Sequence, residues 1–214
     1  MNQNQSSYQS TEDQKVVLPL QKSKQDLVVL KYMAQQVRVT LQAPGQLEDA
    51  SLPWSYYLNE RQRRTHRILL YQPQLLLQKH DLAFVGFVSG RQQNADPETV
   101  DRLDAADYDM LSELTHVPGL LSYSSLELRA GRWYNLVILK SLEIKSHFHT
   151  IGAHRHAAYE LSPHYYEWIR LHSGSLPGGL AGGKMALCGT KYYTFPGNGQ
   201  RPHVQEQVYS SCCV

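Results

Sequence analysis

Between Leu82 and Leu139 the hydrophobic period changes twice, and this succession restricts the fold more than any other feature of the chain. The stretch "LAFVGFVSG", Leu82 to Gly90, is short, apolar and rich in β-forming residues, and it ends in glycine; it predicts a strand. In "DPETVDRLDAADYDMLSEL" Asp96 stands as an N-cap, Pro97 takes the first helical position and Glu98 follows at once. A helix must start there, and Val100, Leu103, Tyr108, Leu111 and Leu114 supply its apolar stripe until Pro118-Gly119 closes it. The stretch "LLSYSSLELRAGRWYNLVILKS" predicts two strands joined at Arg129 to Arg132, where Gly131 can take the positive φ of a tight turn.

The histidine-rich stretch from Ser146 continues the pattern as a helix, or as two helices broken near Ser162-Pro163. "LPGGLAGG" reads as a flexible lid loop, and Lys184 to Phe195 as the last strand. Residues 81–196 thus run strand, helix, strand, strand, helix, strand, which predicts an α+β domain with the ferredoxin-like split βαβ arrangement. Residues 15–80 read as a helical N-terminal extension: a helix over Gln25 to Leu41 that turns extended near Val37, a break at Pro44, Gly45 and Pro53, and a second helix from Trp54 to Tyr71. Its Arg61, Arg63, Arg64, His66 and Arg67 read as a solvated face, with an anion or an acidic partner as the alternative. The Gln- and Ser-rich residues 1–14 are expected to be disordered, and residues 197–214 to form a tail.

A net charge of +2 lacks the basic excess that binding to nucleic acid requires, so nucleic acid is not expected as a partner. No apolar run approaches the roughly 20 residues of a membrane span, and the start lacks the order of a secretory signal. Three cysteines, Cys188, Cys212 and Cys213, make no disulfide framework and fit a reducing, cytoplasmic setting. The ending "SSCCV" is not a prenylation box, because Ser211 stands fourth from the end. There is no G-x-S-x-G, Walker A, C-x-x-C or strand-linked G-x-G-x-x-G motif.

Two segments, "ELTHVPGLLSYSSLEL" and "LVILKSLEIKSHFHTIGAHRHAA" with its Ser141-x-Glu143 start, carry a resemblance. Over residues 82–195 the chain resembles the dimeric α+β barrel superfamily of antibiotic-biosynthesis monooxygenases, haem-degrading oxygenases and stress-response barrel proteins. The resemblance implies a homodimer in which two sheets pair into one barrel, with a pocket between the sheet and the helices of each protomer. In the haem-binding members the axial histidine lies on the second helix, which implies His154 as a haem-iron ligand here, with haem as the cofactor. The N-terminal extension and the loop Ser175 to Gly183 depart from the superfamily pattern.

Six of the ten histidines lie between Ser146 and His172, so metal binding has to be weighed. On one straight helix His147 and His154 share a face while His149 and His156 share the opposite one, and a single zinc ion cannot collect both pairs. A His-x-His strand site of the cupin kind lacks its following glutamate, since Glu160 is the first carboxylate downstream. A haem needs one axial imidazole in an apolar slot, and the face formed by His147, Ile151, His154, Ala158 and Leu161 offers His154, with His147 next to it. His154 is thus read as a packing residue, a haem ligand or an acid–base group, with Tyr159 as a second catalytic candidate. Tyr123, Trp133 and Tyr134 are expected to line the pocket. Tyr165, Trp168 and Ile169 are read as a buried helical stripe, with Glu167 and Arg170 outward and His164 and His172 structural. The function expected is that of a small monooxygenase-like or haem-dependent oxidoreductase acting on an apolar molecule or tetrapyrrole; the alternative is a non-catalytic binding or assembly protein.

Overall fold

A computed structural model describes residues 20–43, 52–129, 131–197 and 200–210. The expectations for residues 1–14 and for the two tail cysteines lie outside the described residues. The described chain is α+β: eight antiparallel strands form one sheet in the order β1-β2-β4-β5-β3-β6-β7-β8. They are β1 (Trp54–Glu60), β2 (Arg64–Leu70), β3 (Leu82–Arg91), β4 (Leu120–Arg129), β5 (Arg132–Leu139), β6 (Tyr166–Leu176), β7 (Ala186–Thr194) and β8 (His203–Val208). The helices are α1 (Leu20–Gln42), α2 (Pro73–Leu76), α3 (Pro97–Leu114), α4 (Gly152–Arg155) and α5 (Ser162–Tyr165).

The central elements follow the sequence signals. Asp96 caps α3 by accepting a hydrogen bond from the Thr99 amide at 3.2 Å, with Pro97 in the first turn. β4 and β5 form the expected hairpin, and Gly131 has φ +72°. α1 presents Ser23, Asp26, Leu30, Met33, Val37 and Leu41, spaced at three and four residues, as its buried stripe. The expected extended turn near Val37 does not occur, because Val37 and Leu41 continue the same stripe into the core.

Three segments differ from expectation. Trp54 to Leu70 is a hairpin rather than a helix, since β1 alternates Trp54, Tyr56 and Leu58 inward with Ser55, Tyr57 and Asn59 outward, a period of two. Tyr166 to Leu176 is a strand, not a helix; it buries Ile169 on one face and Arg170, His172 and Gly174 on the other, so no polar alternation marks it. β6 therefore takes the place expected of the last strand, and Lys184 to Phe195 holds β7, one strand further out. The expected tail, 197–214, contains β8. The hairpin of the expected N-terminal extension, 15–80, belongs to the same sheet as the rest.

Two cores lie on opposite faces of this sheet. One packs α3 and the helical segment 142–165 onto Leu69, Ala83, Tyr123, Val137 and Leu139. The other packs α1 onto Ile68, Leu70, Phe84, Leu136 and Ile138. No helix among the described residues is long and apolar enough to cross a membrane. Cys188 is disulfide-bonded, which departs from the reducing setting expected from the cysteine count; the other cysteines, Cys212 and Cys213, lie outside the described residues.

Candidate functional site

Strand register sorts the polar side chains into two assemblies, one per face. On the α1 face, Arg170 and His172 stand two residues apart on β6, so both point at α1. There they meet Asp26. Arg170 donates from Nε and Nη2 to the two Asp26 oxygens at 2.5 and 2.9 Å, and His172 Nε2 donates to Asp26 Oδ2 at 3.0 Å. Because a carboxylate only accepts, Nε2 carries the proton, and Nδ1 is left to accept from the Thr190 hydroxyl at 2.8 Å. Tyr134 donates to Asp26 Oδ1 at 3.4 Å, and Tyr209 lies 3.3 Å from Ser23 Oγ and 3.4 Å from Thr190 Oγ1. The Arg170 guanidinium carbon sits 4.0 Å from the centre of the Trp168 ring. Burial alone would raise the Asp26 carboxyl, but hydrogen bonds from His172 and Arg170 and the Arg170 charge outweigh it and hold it below its usual value.

The chain carboxylate, imidazole, hydroxyl has the donor polarity that activates a nucleophile. Thr190 is nevertheless 1% exposed and His172 fully buried under α1. With no substrate path to its hydroxyl, the assembly acts as the polar bond between α1 and the sheet.

The second assembly faces α3. Register places Arg67, Ser125, Asn135 and Phe87 in one row across β2, β4, β5 and β3. Tyr123 lies in the row on one side, and Glu127, Trp133 and Ser89 in the row on the other. Arg67 Nη2 donates to Asp107 Oδ2 of α3 at 2.7 Å, Tyr123 to Asp107 Oδ1 at 3.5 Å, and the Arg67 guanidinium stands 5.8 Å from the Tyr123 ring centre. Burial, then the Asp107 charge, pushes the Tyr123 phenol well up, so it serves as a neutral donor. Burial also raises Tyr166, whose ring meets Phe87 edge-on at 5.6 Å between centres. Three buried polar atoms of this sheet face have no hydrogen-bond partner among the described residues: the Nε of Arg67, the Oγ of Ser89 and the Oδ1 of Asn135. A donor and an acceptor left unpaired each cost about 1–3 kcal/mol.

The site residues expected from the sequence do not come together. Tyr123 and Trp133 share the α3 face, but Tyr134 points to the opposite one, bonded to Asp26. Tyr159 is 64% exposed. His147 and His154 do not share a helical face, because the chain is a 3-10 helix over Leu142–Thr150, goes extended at Ile151, and then forms α4 and a π turn over His156–Leu161. His147 is exposed, with Nδ1 donating to the Ile144 carbonyl at 3.3 Å. His154 is half-buried, its Nδ1 has no hydrogen-bond partner, and burial, then His149, lowers its pKa.

A haem would need a flat apolar slot beside His154. The ring there meets Phe148 and His149 edge-on at 6.0 and 6.5 Å, and the nearby groove of about 260 Å³ is lined by Glu113, His116, Val117, Pro118, His147, Thr150 and Ile151. His154 does not line that groove, so these residues do not fit an axially ligated haem. Among the described residues, no three His, Cys, Asp or Glu side chains are placed to hold a metal ion.

Asp26, Asn135 and Thr190 carry no local sequence signal of their roles, and Arg170 points to the α1 face rather than outward. The one local signal was R-x-H at 170–172, which becomes a shared face only once the segment is read as a strand. No family model, curated protein or solved structure matches the chain.

Proposed function

We propose that the protein is a small monooxygenase-like oxidoreductase of the ferredoxin-like α+β kind, and that its site lies on the α3 face of the sheet around Arg67, Tyr123, Asn135 and Trp133. The order β6-β3-β5-β4, with α3 between β3 and β4 and the helical segment between β5 and β6, supports the split βαβ reading. The observation that carries the site is the pair of unpaired buried atoms, Arg67 Nε and Asn135 Oδ1. A planar, mostly apolar molecule with a hydroxyl or enol group would satisfy both, against the aromatic walls of Phe87, Tyr123 and Trp133. In an oxidation without a cofactor, dioxygen takes the electrons and the substrate's anionic form supplies them. The neutral hydroxyl would be the form that donates to Asn135 Oδ1, and the Arg67 charge would hold the anion once that proton has left.

The barrel homodimer is the less supported part of the resemblance, since α1 covers the sheet face that barrel pairing would use. The alternative, a non-catalytic binding protein, is favoured by one observation: the only carboxylate–imidazole–hydroxyl chain described is closed under α1.

Trp133 is the one tryptophan on the α3 face, as Trp54 and Trp168 pack with the α1 core. Its fluorescence should be quenched on titration with hydroxylated bicyclic aromatics. Asn135→Leu should weaken that binding at least about tenfold, or about 1.4 kcal/mol, with little change in thermal stability. Oxygen uptake with the bound compound separates the enzyme from the binding protein. Binding unchanged in Asn135→Leu would sink the site.

A further inference from the structure

β8 ends the sheet, with β7 on one side and no strand among the described residues on the other. Exposed edges are normally blunted by lysine, proline or a bulge inside the strand. β8 has none of these; Pro202 stands outside it, its register with β7 is unbroken from His203 to Val208, and its one charged side chain, Glu206, is paired within the chain to Lys191. Val204, Glu206 and Val208 share the α3-facing side, opposite Tyr193, Lys191 and Gly189. The two valines are 54% and 78% exposed, although nothing in a strand this short requires an exposed valine. Glu206 is already engaged sideways, 3.5 Å from Lys191 Nζ.

The edge is also symmetric in sequence. Residues 204–208 read V-Q-E-Q-V, the same in both directions. An antiparallel pair of identical strands has its two-fold axis at one residue and sets equal offsets against each other.

We propose that two copies of this chain pair through β8, antiparallel, about an axis at Glu206. Val204 then lies against the partner's Val208 twice over, and Gln205 against the partner's Gln207. All side chains keep their face, because the axis is perpendicular to the sheet. The two Glu206 carboxylates meet at the axis, and each is flanked by its own Lys191, so the row Lys-Glu-Glu-Lys is neutral overall. A register shifted by one residue would turn Val204 to the wrong face. A shift of the axis to Gln205 would set Val204 against Glu206 and leave Val208 bare. This pairing leaves α1 in place on its face, and it does not depend on what the α3 face binds.

Sedimentation equilibrium of the full chain tests the proposal. A reversible dimer is expected. Val204→Lys with Val208→Lys should raise its dissociation constant at least about tenfold, since each interface loses two apolar pairs and gains like charges. Glu206→Gln should tighten it severalfold by relieving the repulsion at the axis. Tyr57→Lys, on the other open edge, should leave it unchanged, and circular dichroism should show all three variants folded, as these side chains are exposed. A monomer at every concentration, a dimer indifferent to the valine substitutions, or one broken by Tyr57→Lys would overturn the pairing.

Discussion

At the residue scale the molecule separates buried polar groups that are answered from those that are not. Asp26 is answered by three donors, and its depressed carboxyl ties stability to pH. A carboxyl lowered by folding adds stability that is complete above its unfolded value near 4 and is lost as pH falls through the folded value. His66 is the opposite case. Its ring is fully buried, neither nitrogen has a hydrogen-bond partner, and Nδ1 only approaches Glu60 at 3.5 Å. Burial lowers its pKa against the opposing pull of Glu60, so the unfolded chain takes up a proton below about pH 6.5 that the folded chain resists, and stability falls. Urea denaturation should therefore show His66→Phe within about 1 kcal/mol of the parent at neutral pH and less sensitive to acid between about pH 7 and pH 5. Asp26→Ala, which strands the Arg170 charge, should lose about 3–5 kcal/mol at neutral pH. An equal acid dependence in the parent and in His66→Phe would show that His66 is not the group that titrates. None of this could be seen in the sequence. Asp26 lies 144 residues from Arg170, and like Ser23 it stands among the polar residues at the start of α1 with no local signal of its partner.

Elements were legible where a local rule acts alone. α3 carries its own cap and proline, and the β4–β5 hairpin carries its own glycine, so both could be placed from a few residues. β1 and β2 were hidden by the run of arginines at their turn, which mimics a charged helix face; in the structure Arg61 and Arg63 are exposed at the turn while Arg67 points to Asp107. β6 was hidden because its buried face carries Arg170, His172 and Gly174, so the alternation of buried and half-buried residues from Arg170 to Leu176 is not an alternation of apolar and polar ones. The contact between α1 and the sheet is set at one point by the absence of a side chain. A Cβ on Gly86 would run into Leu30, so the helix lies directly on the backbone of β3. Gly86→Ala should be destabilising by about 1–3 kcal/mol through overpacking, and Leu30→Ala by about 2–5 kcal/mol through the cavity it leaves. The double variant should lose less than the sum, because each change relieves the other. Additive losses in a double-mutant cycle would mean that the two residues do not meet.

For the whole molecule, the sheet decides how many parts there are. Read from the sequence, residues 15–80 formed an extension beside an α+β domain. In the structure α1 crosses the sheet from β1 and β2 toward β6, β7 and the loop at Leu180, and its core includes Ile68, Phe84, Leu136, Leu176 and Leu187 from five different strands. The α1 face of the central strands cannot be buried without the N-terminal helix, and Leu69 and Tyr71, just downstream of it, complete the α3-side core, which makes partial unfolding expensive in exposed apolar area. Thermal or urea unfolding should therefore be a single transition. Trp54 and Trp168 report the α1 face, Trp133 reports the α3 face, and far-ultraviolet dichroism reports the helices; single-tryptophan variants should give coincident midpoints. If the Trp133 signal outlasted the others, the α3 face with its unpaired Arg67 and Asn135 atoms would be a folding unit of its own, and the division drawn from the sequence would describe stability even though it does not describe the sheet.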